Sequence, residues 1–163
     1  MNLRSRPLLV SQILAIGSLL AVSYDAMRPP EFYVQSDPVP APSESRFTVR
    51  NPSFLFAMQR TVLGCALVKV ELKDGTTYGN ESVDDPDIAS IAPRGARRYA
   101  CPLDQVIGAR NGVRAKERMS DIGSADVAIV ARYETIGIRR SAESPRFRWD
   151  DVSKRWTATS QAN

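Results

Sequence analysis

The sequence predicts an all-β fold, a small β-sandwich, preceded by one N-terminal transmembrane helix. Three observations carry that expectation. An uncharged apolar run extends from Pro7 to Tyr24, apolar and charged residues alternate beyond Ser45, and Gly, Pro, Asp and Ser punctuate the alternating runs. The implied order is a cytoplasmic tail over 1–6, a membrane anchor over 7–24, a proline-rich extended tether over 25–45 and an extracytoplasmic β domain over 46–163.

Arg4 and Arg6 precede the apolar run and Asp25 follows it, so the positive-inside bias places Met1 in the cytoplasm and the bulk of the chain across the membrane. Eighteen uncharged residues, at about 1.5 Å each, reach roughly 27 Å as a helix, just within the range that crosses a bilayer. The same residues also fit a cleaved secretory signal, because Ala21-Val22-Ser23 has small residues at alternate positions. Cleavage there would leave a mature chain beginning near Tyr24, periplasmic or secreted.

From Arg28 the composition changes. Pro29, Pro30, Pro38, Pro40 and Pro42 forbid a regular helix and favour extended backbone. Glu31-Phe32-Tyr33-Val34 lies within this tether, either as part of an unpaired stalk or as a strand that adds to a sheet edge.

Strands follow. Val68-Lys69-Val70-Glu71-Leu72-Lys73 alternates in the manner of a half-buried antiparallel strand. Leu63, Cys65 and Leu67 have the opposite parity, so a bulge near Ala66 is needed to turn both sets inward. Asp74-Gly75 supplies a hairpin turn, with a return strand through Tyr78. Further strands are expected at Arg46 to Arg50, at Arg97 to Cys101, across Ala125 to Tyr133 with a bent continuation to Arg139, at Arg146 to Asp150, and at Thr157 to Thr159. Pro102 to Ile107 is the one helical candidate in this part, too short to stand alone.

Cys65 and Cys101 are the chain's two cysteines, and each falls in an expected strand. Outside the cytoplasm they would pair as a structural staple, closing a loop whose constraint is worth roughly 4 kcal/mol on an entropy argument. There is no Cys-x-x-Cys to suggest redox exchange. With this strand rhythm and cysteine pair, Arg46 to Thr159 resembles extracytoplasmic immunoglobulin-like domains, in which a disulfide joins two sheets. The resemblance implies an immunoglobulin-like sandwich. Two of its hallmarks are absent: Trp149 and Trp156 both follow Cys101, and Tyr133 does not stand two residues before the second cysteine.

The residues that carry chemistry are sparse. No histidine is present, which removes the common general base near neutral pH and a common metal ligand. Asp84, Asp85 and Asp87 cluster around Pro86 without the spacing of a calcium loop, and read as a solvated turn. The glycines never assemble a phosphate cradle with its lysine, and no serine has a base at dyad spacing. The expectation is a protein that is not an enzyme, with no cofactor, metal or catalytic residue; an envelope hydrolase using Ser and Lys or paired acids is the catalytic alternative.

Arginine is the conspicuous residue. Arg94, Arg97 and Arg98 surround a Pro-Arg-Gly turn, and Arg110, Arg114, Lys116 and Arg118 follow in a polar stretch. Guanidinium groups make directed paired contacts with carboxylate or phosphate, so Arg94, Arg97, Arg98, Arg110 and Arg114 are candidate partner contacts, together with Phe32 and Tyr33. Arg139, Arg140, Arg146 and Arg148 fit either contact or solubility. The net charge of +4, from 22 basic and 18 acidic residues, is too small and too spread to predict a nucleic-acid partner. The function expected is that of a non-catalytic, membrane-anchored structural or assembly subunit of a cell-envelope complex. It would sit single-pass in a bacterial-type inner membrane with its C-terminal domain in the periplasm, contacting lipid through residues 7–24 and other envelope or membrane proteins through an oligomeric assembly. The alternative is a cleaved, soluble periplasmic or secreted binding module.

Overall fold

Two long strands form the spine of the protein. In the computed structural model, residues 6–105 and 121–159 are described. In chain order they form α1 (Arg6–Met27), β1 (Glu31–Val34), a short 3-10 turn (Pro42–Glu44), β2 (Phe47–Arg50), β3 (Met58–Leu72), β4 (Thr77–Tyr78), β5 (Glu81–Asp84), β6 (Ala89–Ile91), β7 (Ala96–Tyr99), β8 (Ile122–Thr135), β9 (Ile138–Glu143), β10 (Arg146–Asp150) and β11 (Arg155–Thr159). The antiparallel ladder between β3 and β8 runs from Gln59 opposite Glu134 to Leu72 opposite Ile122. On the far side of β3, β6, β5 and β4 pair with successive stretches; on the far side of β8, β9 and β10 divide the edge, and β11 pairs with β10.

Side-chain parity explains this spine. Leu63, Cys65 and Leu67 are buried, and so are Val70 and Leu72 on the opposite parity. The two sets share a face because the register against β8 slips between Leu67 and Lys69, at Val68, close to the bulge expected near Ala66. After Leu72 the chain reverses at Gly75, whose φ of +85° is the left-handed conformation that glycine adopts freely. The Asp74 carboxylate steadies the turn by accepting the Thr76 amide at 2.8 Å.

β8 does not bend on toward Arg139 as the sequence suggests. It ends in a two-residue hairpin with Ile136 at φ 48° and Gly137 at φ 77°, and Arg139 lies on the return strand β9, opposite Glu134. β9 then yields to β10 at Ser144-Pro145. The Ser144 amide donates to the Ile129 carbonyl at 2.9 Å, and the Ser144 hydroxyl accepts the Ile129 amide at 2.9 Å, so a side chain completes the ladder where the backbone turns away.

β1, β2 and β7 form a second, three-stranded antiparallel sheet. It faces the first sheet across an aromatic centre. Phe47 of β2 lies 5.3 Å from Phe147 and 5.6 Å from Trp156, centroid to centroid, and Trp156 lies 5.7 Å from Trp149. Such pairs add to the burial of large apolar surface. Cys65 and Cys101 form the expected disulfide, joining β3 to the segment just past β7.

Three expectations are corrected. Among the described residues no helix is long and apolar enough to cross a membrane. The transmembrane helix over 7–24 is therefore withdrawn, with lipid as a partner, the membrane-anchored assembly subunit and the single-pass inner-membrane placement. The all-β assignment gives way to a helix-containing, strand-dominated chain. The immunoglobulin-like assignment is withdrawn as well: the sheets have three and eight strands around one long pair, and both tryptophans sit on β10 and β11.

Candidate functional site

The feature most suited to holding a ligand is a shallow groove of about 550 Å³ where β3, β8 and β9 meet, lined by Arg60, Val62, Arg132, Tyr133, Glu134, Arg139, Arg140 and Ser141. That volume falls in the range of small-molecule and peptide-side-chain pockets. Four arginines and one carboxylate line it, so its field favours an anion.

Arg60 and the pair Arg139 and Arg140 are placed by local departures from regular strand geometry, and Arg132 by the ladder itself. The register of β3 slips between Met58 and Thr61 against β6, and between Gln59 and Val62 against β8. At the slip Arg60 takes φ 46°, unusual for any residue with a Cβ, while the Thr61 hydroxyl donates back to the Met58 carbonyl at 2.9 Å. The Arg60 side chain is 75% exposed and stands 3.8 Å from Glu134. Arg132 is paired across the ladder with Val62 and with Ser141, so these three side chains share a face. Its guanidinium ion-pairs with Asp84 of β5. The pair lies over Gly64, where an added Cβ would stand 2.5 Å from Asp84 Oδ1 and 3.6 Å from Arg132 Nη2. Glycine is what leaves the room.

β9 contributes the other two cations. Arg139 stands opposite Glu134 and Arg140 opposite Tyr133. Among the described residues Arg139 has no ion pair. Burial pushes the Tyr133 phenol above its ordinary range, and the charge and hydrogen bond of Arg140 act against that shift. The groove thus gathers Val62, Arg132, Glu134, Arg139 and Ser141 on one face of the sheet, with Arg140 and the buried Tyr133 on the alternate parity at its border.

A second feature lies at the end of α1. Asp25 is the first buried residue of the chain's described side chains; Gln12 through Tyr24 are all exposed. Its carboxylate accepts the Ser53 hydroxyl at 2.7 Å and the Phe54 and Leu55 amides at 3.0 and 3.1 Å. The Ser53 hydroxyl bond, followed by the two amides and the charge of Arg28, holds the Asp25 pKa below the ordinary carboxylate value. Arg28 donates to the Pro52 carbonyl at 3.0 Å, so residues 25–28 are latched to the loop before β3.

The residues singled out from sequence are dispersed. Phe32 packs against the core from β1, and the exposed Tyr33 donates to Glu31 at 2.7 Å; the strand they belong to completes this chain's own small sheet. Arg94 lies 4.3 Å over the exposed ring of Phe54, and Arg97 pairs with Asp85 at 3.0 Å. Arg98 borders two smaller clefts, one beside Asp84 and Tyr99 and one beside Asp37 and Arg46. Arg110 and Arg114 lie outside the described residues. Of the acidic cluster, Asp84 and Asp85 are engaged by arginines, and among the described residues no group of three potential ligands could hold a metal. Sequence reasoning misses Arg60 and Arg132, and leaves Arg139 and Arg140 undecided. Ile136-Gly137 is the available signal, since a glycine between two apolar runs permits a hairpin that brings Arg139 and Arg140 back beside β8.

No protein-family model matches the chain, and no curated protein matches it. Among solved structures, an X-ray structure of a Northeast Structural Genomics Consortium target is 13% identical, with 82% of this chain and 89% of that chain covered, at a TM-score of 0.35. That likeness is too distant to bear on fold or function.

Proposed function

We propose that the chain is a non-catalytic binding module, exported to the periplasm or beyond, whose partner presents an acidic surface. The observation that supports it is the groove itself: four arginines from three strands line it with a single carboxylate among them. Guanidinium groups positioned by strands recognise carboxylate with directed paired hydrogen bonds. Export accords with the Cys65–Cys101 disulfide, a bond that persists in oxidising compartments. It also accords with the position of Ala21-Val22-Ser23 directly ahead of the Asp25 latch. Cleavage before Tyr24 removes an exposed apolar segment and leaves every hydrogen bond of Asp25 intact.

The test has two measurements on one preparation. Intact mass of the exported protein should give a chain beginning near Tyr24 in the soluble envelope fraction; retention of the full chain overturns the leader reading. Crosslinking in the native envelope, followed by mass spectrometry, should join an acidic partner segment to residues near Arg60 and Arg139. Charge reversal by Arg60→Glu with Arg139→Glu should abolish that crosslink, and a pattern indifferent to the reversal overturns the acidic-partner reading.

A further inference from the structure

The outer edge of β9 is open among the described residues, because β9 pairs with β8 alone. Which of its backbone groups face outward follows from one hydrogen bond. Ser144 donates its amide inward to Ile129, and antiparallel strands alternate between residues that bond inward and residues that bond outward. Counting back from Ser144 along the continuous register, Ala142, Arg140 and Ile138 bond to β8, while Glu143, Ser141 and Arg139 present their amide and carbonyl groups outward. The closing pair of the two-residue hairpin, Thr135 with Ile138, has the same phase. Arg139 and Ser141 therefore offer free backbone groups at the edge while their side chains line the groove.

We infer that the partner is bound as an extended acidic peptide that adds as a strand to the outer edge of β9, its main chain bonded to Arg139, Ser141 and Glu143 and its carboxylates set on the groove face beside Arg139. This rests on the reading of the groove as a site for an acidic partner and supplies the mode of binding. Backbone bonds along an open edge give affinity without sequence demand, and side chains at alternate positions give selectivity. The charge of the edge selects the occupant. A glutamate set opposite Arg139 adds a charge pair on the groove face, where Arg60 and Arg132 reinforce the preference for an acidic strand. Exposed Ile136 and Ile138 at the hairpin tip extend the surface with apolar contact, and Ile136 holds φ 48°, a conformation costly for a β-branched residue.

Nuclear magnetic resonance titration of the exported chain tests this with a synthetic peptide of alternating valine and glutamate, and with a peptide of equal charge interrupted by proline. The expected result is slowed amide exchange at Arg139, Ser141 and Glu143 with the alternating peptide, and binding at least about tenfold weaker with the proline-interrupted one, since each lost backbone bond is worth roughly 1 kcal/mol. Ser141→Pro removes an outward amide and leaves the β8 ladder and the charges in place, so it should weaken binding of the alternating peptide by a similar factor. Equal binding of the two peptides, undiminished by Ser141→Pro but lost in Arg139→Ala, would overturn strand addition while leaving the acidic site standing. Failure of both peptides to bind would sink both readings. A concentration-dependent dimer that Ser141→Pro dissolves would assign the edge to a second copy and overturn the inference.

Discussion

The aromatic centre, drawn from β2, β10 and β11, and the arginine groove, drawn from β3, β8 and β9, are built by opposite rules. At the centre, Phe47, Trp149 and Trp156 are 1 to 3% exposed, and Phe47 and Trp149 come from strands of strict alternation, in which every second residue points inward. At the groove, the guanidinium groups depend on breaks in that alternation: a register slip and a left-handed Arg60 on β3, a hairpin with a left-handed Ile136 between β8 and β9, and a glycine under the Arg132–Asp84 pair. Regular pattern makes the core, and departures from it aim the side chains that face a partner.

Substitutions can sharpen this contrast. Trp149→Ala removes the largest fully buried side chain and should destabilise the whole domain by about 3–5 kcal/mol, with loss of peptide binding in proportion to loss of fold, by denaturant titration. Replacing Cys65 and Cys101 together by serine should cost about 2–5 kcal/mol in the same titration. The groove should then respond at unchanged affinity in whatever fraction remains folded. Arg60→Gly should behave in the opposite sense: glycine accepts φ 46° without strain, so stability should hold or rise by up to about 1 kcal/mol while acidic-peptide affinity falls. A stability loss there would break the comparison by making Arg60 a core-type residue.

The smallest effect is expected at Asp25 and depends on pH. Its folded pKa lies below its ordinary 3.8, so the latch contributes fully above that value and is lost as pH falls through the lowered folded pKa. The melting temperature of Asp25→Asn should therefore lie below that of the native chain near neutral pH, and the gap should close in acid. A gap constant with pH would show that the latch does not depend on the carboxylate charge.

The same contrast explains what the sequence discloses. Arg146 to Asp150 forms a strand with the bounds read from its alternation, and Asp74-Gly75 turns where its glycine predicts. The bulge in β3 is legible because Leu63, Cys65 and Leu67 conflict in parity with Val70 and Leu72. Arg60 offers no such conflict, since polar neighbours on either side give no parity to violate. Ile136-Gly137 reads as a bend rather than a reversal, because isoleucine is an uncommon occupant of a left-handed turn position. The run from Pro7 to Tyr24 misleads in a different way. Hydrophobic content measures a segment's aversion to water, a property that a leader segment and a membrane span share.

The pairing of β3 with β8 also sets a timetable. Residues of β3 wait for partners that lie far along the chain, Leu72 for Ile122 and Gln59 for Glu134, whereas the hairpins around β4, β5 and β9 join near neighbours. Closing so distant a ladder carries a large loop entropy, which places such topologies among the slower folders, on the order of milliseconds to seconds. A nascent chain therefore cannot assemble its spine until most of it has emerged, and until then its first long strand stays without its main partner.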